Sequence, residues 1–260
     1  MAGEDTLPAS LTGRLDTRFI GQKVIYFPRL PSTMDVARRE AREGAAEGTV
    51  VIAGEQTSGR GRVKRLWLSP PGNIALSVIL YPGVSDLPYL IMITSLAVVR
   101  SIENVTGLKA DIKWPNDILI DGKKVGGILI ENEISGGKTA RAIVGIGINI
   151  NIHDFDVKGS SVPVTSLEKE IKRTVIKSDL INNLLVEMER LYLELPGGGS
   201  LHREWREKLV TLGKSVVVTT GDETLQGLAE SVDSTGALIL KLDNGTTARI
   251  VAGDVTLRDR

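Results

Sequence analysis

The sequence predicts an α+β protein: a mixed β-sheet domain flanked by helices, with a small β-barrel at the C-terminus. Three observations carry this. Up to about residue 212, short apolar strand-like runs alternate with patterns of helical period. After Gly213 the helical period stops, and short strands follow one another between turn residues. The chain has 260 residues, enough to bury a full-sized core and a smaller second one. The expected division is an N-terminal arm at 1–16, a main domain at 17–212 and the barrel at 213–260.

The elements follow in order. Residues 1–16 are small and polar, with no apolar core of a secretory signal. "KVIYFPRL" has strand composition, and "PSTMDVARREAREG" reads as a helix. Ser32 or Thr33 caps that helix, Asp35 sits in its first turn and Gly44 stops it. "GTVVIAGEQ" is an apolar strand that runs into the loop "SGRGRVKRLW". "NIALSVILYP" is the next strand, and "DLPYLIMITSLAVVRSIENVTG" a long buried helix. "ADIKWPNDILIDGKKVGGILIENEI" and "TARAIVGIGININI" give three strands, the first two joined at the "DGKK" hairpin signal. Leu180, Leu184, Met188 and Leu191 recur at helical spacing, as do Leu201, Trp205 and Leu209. The C-terminal segments "KSVVVTT", "ETLQGLAESV", "GALILKL" and "TTARIVAGDV" are strands, and Asp243–Gly245 signals a type I′ turn.

Composition removes whole classes of chemistry. The absence of cysteine excludes disulfides, thiolate metal sites and cysteine nucleophiles. With only His153 and His202, a histidine metal site or a serine hydrolase triad is disfavoured, and both histidines read as structural. Lysine plus arginine and aspartate plus glutamate number 32 each, which argues against a nucleic-acid backbone as partner. No apolar run reads as a membrane span, so a cytoplasmic protein without membrane contact is expected.

Local charge is another matter. Arg60, Arg62, Lys64 and Arg65 crowd a loop whose Gly59 and Gly61 let the backbone approach a ligand. On an extended segment Arg60 and Arg62 share a face and can grip a carboxylate or phosphate, while Trp67 offers a flat wall to a ring. A merely solvated loop and an arginine–glycine nucleic-acid segment are the alternatives. A second constellation is "KWPNDILIDGKKVGGILIE": Lys113 at a strand end, the polar pair Asn116 and Asp117, and Gly126–Gly127 inside a strand where something approaches the backbone.

Taken together, "GRGRVKRLW", "KWPNDILIDGKKVGGILIE" and "GIGININ" resemble the biotin–protein ligases in order, spacing and identity over roughly residues 20–155. The resemblance implies formation of biotinyl-5′-AMP from biotin and MgATP, then transfer of biotin to a lysine of a biotin carboxyl carrier protein. Such chemistry asks mainly for preorganised positive charge and needs no enzyme nucleophile. Residue by residue, it implies that Ser32, Thr33, Gln56, Gly59, Gly127 and Ile128 contact biotin. Met34 departs from the asparagine often found next to the serine–threonine pair. Arg60 and Arg62 order over the adenylate, and Lys113 resembles the lysine that bridges carboxylate and α-phosphate. Arg62, Arg65, Trp67, Asn116 and Asn149 serve ATP. Magnesium comes with the nucleotide, with Asp117 a weak candidate to assist it. A homodimer is implied through the main sheet. About 20 residues precede the first strand, too few for a DNA-binding domain, so a ligase without repressor function is expected. The rivals are a lipoate–protein ligase, an octanoyl-type acyl transferase and a non-catalytic nucleic-acid module with steep salt dependence.

Overall fold

A computed structural model describes residues 15–135, 139–152, 163–195, 199–221 and 223–257. Most of the expected N-terminal arm, and His153, lie outside the described residues. The main sheet has seven strands in the order β1-β2-β5-β9-β8-β7-β6. These are β1 (Val24–Phe27), β2 (Val50–Ala53), β5 (Ile74–Leu80), β6 (Asp111–Lys113), β7 (Asp117–Ile120), β8 (Lys123–Ser135) and β9 (Thr139–Ile148). Only β1 and β2 pair in parallel, and the helix α1 (Thr33–Arg42) lies in their connection. Every other pairing in this sheet is antiparallel, so the sheet is mixed.

Strand β5 is buried at all of its residues because both faces of the sheet are covered. On one face Met34, Ala37 and Ala41 of α1 pack on Val51, Ile79 and Ile143. The other face carries the main core, to which α2 (Leu90–Thr106) and α4 (Lys177–Leu193) contribute Leu96, Val99, Leu184 and Met188. Gly107, at φ +76, ends α2 in the left-handed conformation that glycine adopts without cost. The stretch Val84–Thr106 is long and apolar enough to cross a membrane by composition, contrary to the sequence reading, but 61% of its most apolar window is buried inside this fold. Two further helices are α3 (Leu167–Ile171) and α5 (Gly199–Glu207). Leu201, Trp205 and Leu209 form the expected core stripe, and the Trp205 indole donates to Ser95 Oγ at 3.0 Å.

The C-terminal region forms a five-stranded antiparallel sheet in the order β13-β12-β11-β10-β14. Its strands are β10 (Ser215–Thr220), β11 (Glu223–Val232), β12 (Leu238–Leu242), β13 (Thr247–Ile250) and β14 (Asp254–Leu257). It is tied to the main body by buried bonds. Trp114 Nε1 donates to Gly236 O at 2.9 Å, and Trp114 N donates to Thr211 Oγ1 at 2.9 Å. The ring nitrogen Nε2 of His202 lies 2.8 Å from Asp233 O, a structural contact.

Three local expectations are corrected. Residues 111–148 hold four strands, because the Trp114–Pro115 turn splits the first expected strand into β6 and β7. The last expected strand divides into β13 and β14. The Asp243–Gly245 turn is not type I′: Gly245 has φ +83 but Asn244 is not left-handed. Leu242 N and Thr246 O close a three-residue loop instead, and Asn244 Oδ1 accepts from Thr246 N, the geometry of a turn ending in a glycine bulge.

Candidate active site

The site begins as bare backbone. Gly127 of β8 pairs with Gly147 of β9, and Gly145 lies two residues along on the same face. Nothing projects from these positions, so other groups can lie directly on the sheet. A Cβ on Gly147 would come within 2.4 Å of Trp67 Cε2, and one on Gly145 within 2.8 Å of Met34 Sδ. Trp67 therefore lies flat on the glycine floor rather than standing beside it.

Trp67 belongs to a hairpin of β3 (Gln56–Arg60) and β4 (Leu66–Ser69), with a 3-10 turn at Arg62–Lys64 between them. Inside that turn Val63 adopts φ +52 and ψ +43 and is 72% exposed. A β-branched residue in this region is strained. The turn also undoes the expected sharing of a face by Arg60 and Arg62. Arg60 turns toward α1 and β8, pairing with Asp35 Oδ1 at 3.0 Å and Glu131 Oε1 at 3.4 Å. Its Nε is buried without a partner. Arg38 also holds both Asp35 and Glu131, giving a network of alternating charge. Arg62 turns the other way, donating through Nη1 to Asn116 Oδ1 and to Gly253 O, each at 3.1 Å. Burial pushes its pKa down, opposed by Asp254 and Asp117. Arg65 Nη2 meets Asp254 Oδ2 at 2.6 Å. A cleft of about 390 Å³ opens here, lined among others by Ser58, Arg60, Arg62, Arg65, Leu129 and Glu131.

The start of α1 forms a second wall. Ser32 is at the N-cap position, yet neither it nor Thr33 caps through its side chain. Gln56 does so from the loop: its Oε1 accepts from Thr33 N at 2.8 Å and from Thr33 Oγ1 at 3.1 Å. Thr33 Oγ1 lies 2.8 Å from Ser77 Oγ of β5. Ser32 Oγ is left buried with no partner, a polar atom poised for a ligand.

Two lysines converge on Asp117. Lys113, at the end of β6, is only 8% exposed; its backbone pairs with Asp117 of β7, and its ammonium makes no hydrogen bond or ion pair to another described residue. Burial lowers its pKa, with Asp117 and Asp254 opposing the shift and Lys124 adding to it. Lys124 Nζ pairs with Asp117 Oδ1 at 2.5 Å and lies 5.5 Å from the Trp67 ring centroid, a cation–π placement. Sequence reasoning missed Lys124, and the reason is geometric. Lys124 and Gly127 are three apart, so regular alternation would put them on opposite faces. A bulge opposite Ile118 and Leu119 shifts the register and brings Lys124 onto the side of Gly127. The only available signal was the second lysine of "GKKVGG". Glu131 and Asp254 were also missed, because nothing local marks them as partners of loop arginines.

The remaining expected residues are placed as follows. Asn116 Nδ2 donates to Ile128 O at 2.8 Å, and Asn116 O accepts from Ile128 N, so it fixes the strand beside Gly127. Ile128 is core. Asn149 is buried and its amide donates to Thr165 O at 3.1 Å, which holds the "VTSLEKE" segment against the end of β9. Residues 163–165 in turn clamp the backbone of Lys124, through Lys124 N to Pro163 O and Thr165 N to Lys124 O. Among the described residues no cluster of three metal-ligating side chains occurs, and Asp117 is already engaged by Lys124.

Residues 26–149 match the biotin/lipoate A/B protein ligase family, and residues 211–258 match the biotin protein ligase C terminal domain. The chain is 35% identical over 249 residues to the bifunctional ligase/repressor BirA of Bacillus subtilis, covering 94% of this chain and 76% of that one. It is 32% identical over 206 residues to the biotin–[acetyl-CoA-carboxylase] ligase of Paracoccus denitrificans, covering 76% and 86%. Among solved structures, the biotin protein ligase from Aquifex aeolicus in complex with biotin and ATP shares the fold, with TM-score 0.75 at 24% identity over 92% of this chain and 100% of that one. The biotin protein ligase from Leishmania major in complex with biotinyl-5-AMP superposes with TM-score 0.62 at 25% identity, covering 88% and 99%.

Proposed function

The chain belongs to the biotin/lipoate A/B protein ligase family, and we infer from this premise that it is an ATP-dependent biotin–protein ligase. Biotin's carboxylate attacks the α-phosphorus of ATP, and pyrophosphate leaves. The amine of a carrier lysine then attacks the acyl carbonyl of biotinyl-5′-AMP, losing a proton as AMP departs. The observation that carries this reading is the glycine floor at Gly127 and Gly147, ringed by the cations Lys113, Lys124, Arg62 and Arg65. Two anions must meet there, and fixed positive charge is what lowers that barrier.

In this proposal biotin lies along the floor with its ring toward Ser32, Thr33 and Gln56, where an unpartnered hydroxyl awaits a hydrogen bond. Gly59 and Gly127 give it room, while Ile128, whose side chain lies in the main core on the other face, supports the floor only through its backbone. Arg60 and Arg62 close over the adenylate. Arg65, Trp67, Asn116 and Asn149 form the nucleotide side. Lys113 supplies a buried cation beneath the α-phosphate. Lys124, nearer the floor and Trp67, reaches the acyl-phosphate itself. Magnesium would come bound to the phosphates of ATP and would offset part of their charge. Asp117 assists only by giving up its pairing with Lys124.

The partner is a biotin carboxyl carrier protein, in keeping with the relatives named as acetyl-CoA-carboxylase ligases. A cytoplasmic setting suits the need for ATP. Homodimerisation through the main sheet belongs to the same proposal, supported by the edge of β8 beyond Gly127 that β7 leaves unpaired.

Mass spectrometry after incubation with biotin and MgATP tests the reaction. Retained biotinyl-5′-AMP and released pyrophosphate are expected. An adenylate formed with lipoate and not with biotin would move the substrate to the sister branch. Lys113→Ala and Lys124→Ala should each lose about 2–4 kcal/mol of transition-state stabilisation, roughly 10²–10³ in rate. The larger loss belongs to Lys124; a larger loss in Lys113→Ala would return the bridging role to Lys113.

A further inference from the structure

The loop that carries the arginines is held by the other sheet. At the entry to β14, Gly253 O accepts from Arg62 Nη1 at 3.1 Å, and Asp254 Oδ2 accepts from Arg65 Nη2 at 2.6 Å. Between those two arginines sits Val63 with its left-handed backbone. Strain of that kind persists only where contacts on both sides over-determine it. The contacts here are Asn116 and Gly253 on Arg62 and Asp254 on Arg65.

The way each arginine is held matters. Arg62 is gripped through Nη1 and Arg65 through Nη2, and their other nitrogens make no hydrogen bond to a described residue. A guanidinium has five donors in a rigid fork, so fixing one corner aims the rest. We propose that Asp254 is a positioning residue for the nucleotide step: from β14 it fixes Arg65 beside the Arg62 that its neighbour Gly253 holds, so that the unused donors of the two arginines face the phosphates of ATP. It acts through the arginines and touches no substrate. Its charge also favours the ionised form of the half-buried Arg62 and of Lys113, against the burial that lowers both. This inference rests on the ligase reading of the same site.

The test uses the full chain with Asp254→Asn and Asp254→Glu. Biotin-dependent pyrophosphate release should show KM for ATP raised about tenfold in Asp254→Asn, with KM for biotin within about twofold, and partial recovery in Asp254→Glu. A residue that merely stabilised the fold would raise both constants or neither, and either outcome overturns the proposal. A lower KM for ATP overturns it too, since Asp254 would then be a competitor of the phosphates. Limited trypsin digestion without ligand gives a readout independent of activity. Cleavage after Arg62 and Arg65 should be several-fold faster in Asp254→Asn at unchanged melting temperature, and equal rates overturn the proposal. Failure of the wild type to make biotinyl-5′-AMP, with the digestion result as expected, would count against the ligase reading and leave the tether standing.

Discussion

The floor of the site and the loop above it are built on opposite plans. Strands β8 and β9 pair continuously from Gly126↔Ile148 to Ser135↔Thr139, with apolar packing beneath. The β3–β4 hairpin pairs at only three positions, and its register slips between Gln56 and Gly59. Its first strand is anchored by backbone bonds from Thr57 and Ser58 to Leu30 and Pro31, but from Arg60 to Arg65 its grip comes from side chains: Arg60 on Asp35 and Glu131, Arg62 on Asn116 and Gly253, Arg65 on Asp254. Such contacts, partly exposed, are each worth little alone, so the hairpin is held more loosely than the floor. The floor supplies a fixed shape, and the loop supplies positive charge whose aim depends on its protein partners.

That contrast can be broken from either side. The largest effect is expected from Gly147→Val. Its side chain would occupy the place of the Trp67 indole and of any ring on the floor, since even a Cβ would lie 2.4 Å from Trp67. Adenylate formation should fall by about 10²-fold or more, because displacement of this order misplaces the reacting groups. Kinetics like those of the wild type would mean that the floor is not the substrate surface.

Next comes a substitution far from the site. The Glu189 carboxylate accepts from Arg18 N at 2.6 Å and from Phe19 N and Ile20 N at 2.8 Å, in a nearly dry environment. Glu189→Ala orphans these donors and should cost about 2–3 kcal/mol of stability by denaturant unfolding. Specific activity of the folded fraction should stay unchanged; a loss of activity without a loss of stability would refute this division of labour.

Arg60→Ala should do the reverse. Its partners are shared with Arg38 and partly solvated, so stability should move by less than about 1 kcal/mol. The KM for one of the two anionic substrates should nevertheless rise by about tenfold. A large drop in melting temperature would show that the loop is part of the scaffold.

The smallest effect lies in the C-terminal sheet. Burial opposes ionisation of Asp233, but Thr235, Arg249 and the backbone N–H groups of Ala237 and Thr235 outweigh it and hold its carboxyl down to about 2. A depressed carboxyl stabilises the fold above its unfolded value and loses that contribution as pH falls from about 4 toward the folded value. Asp233→Asn should therefore be less stable than the wild type at neutral pH, and the gap should close near pH 2. A gap independent of pH would assign the effect to packing.

The sequence foretold the floor better than the loop. The near-continuous apolar run of "NIALSVIL", the alternation of "GIGINI", and helical spacing at Leu180, Leu184 and Met188 are local signals, and local signals survive folding. The double glycine at 126–127 was legible as a place of close approach. What escaped were features set by distant partners or by a single displaced residue. The bulge that turns Lys124 inward needs β7 opposite it. The parting of Arg60 from Arg62 depends on a left-handed Val63, which no propensity favours. Gln56 capping α1 joins residues 23 apart, and Asp254 meeting Arg65 spans most of the chain.

The buried bonds of Trp114 to Gly236 and Thr211 have a mechanical consequence. They rivet the C-terminal sheet to strand β6 at a point shielded from water, where breaking them leaves an indole N–H and a backbone N–H unsolvated. A sheet fastened in this way is an abutment and not a swinging door. Whatever shuts over the substrates must pivot against it, and the short span from Gly59 to Trp67 is the part light enough to do so.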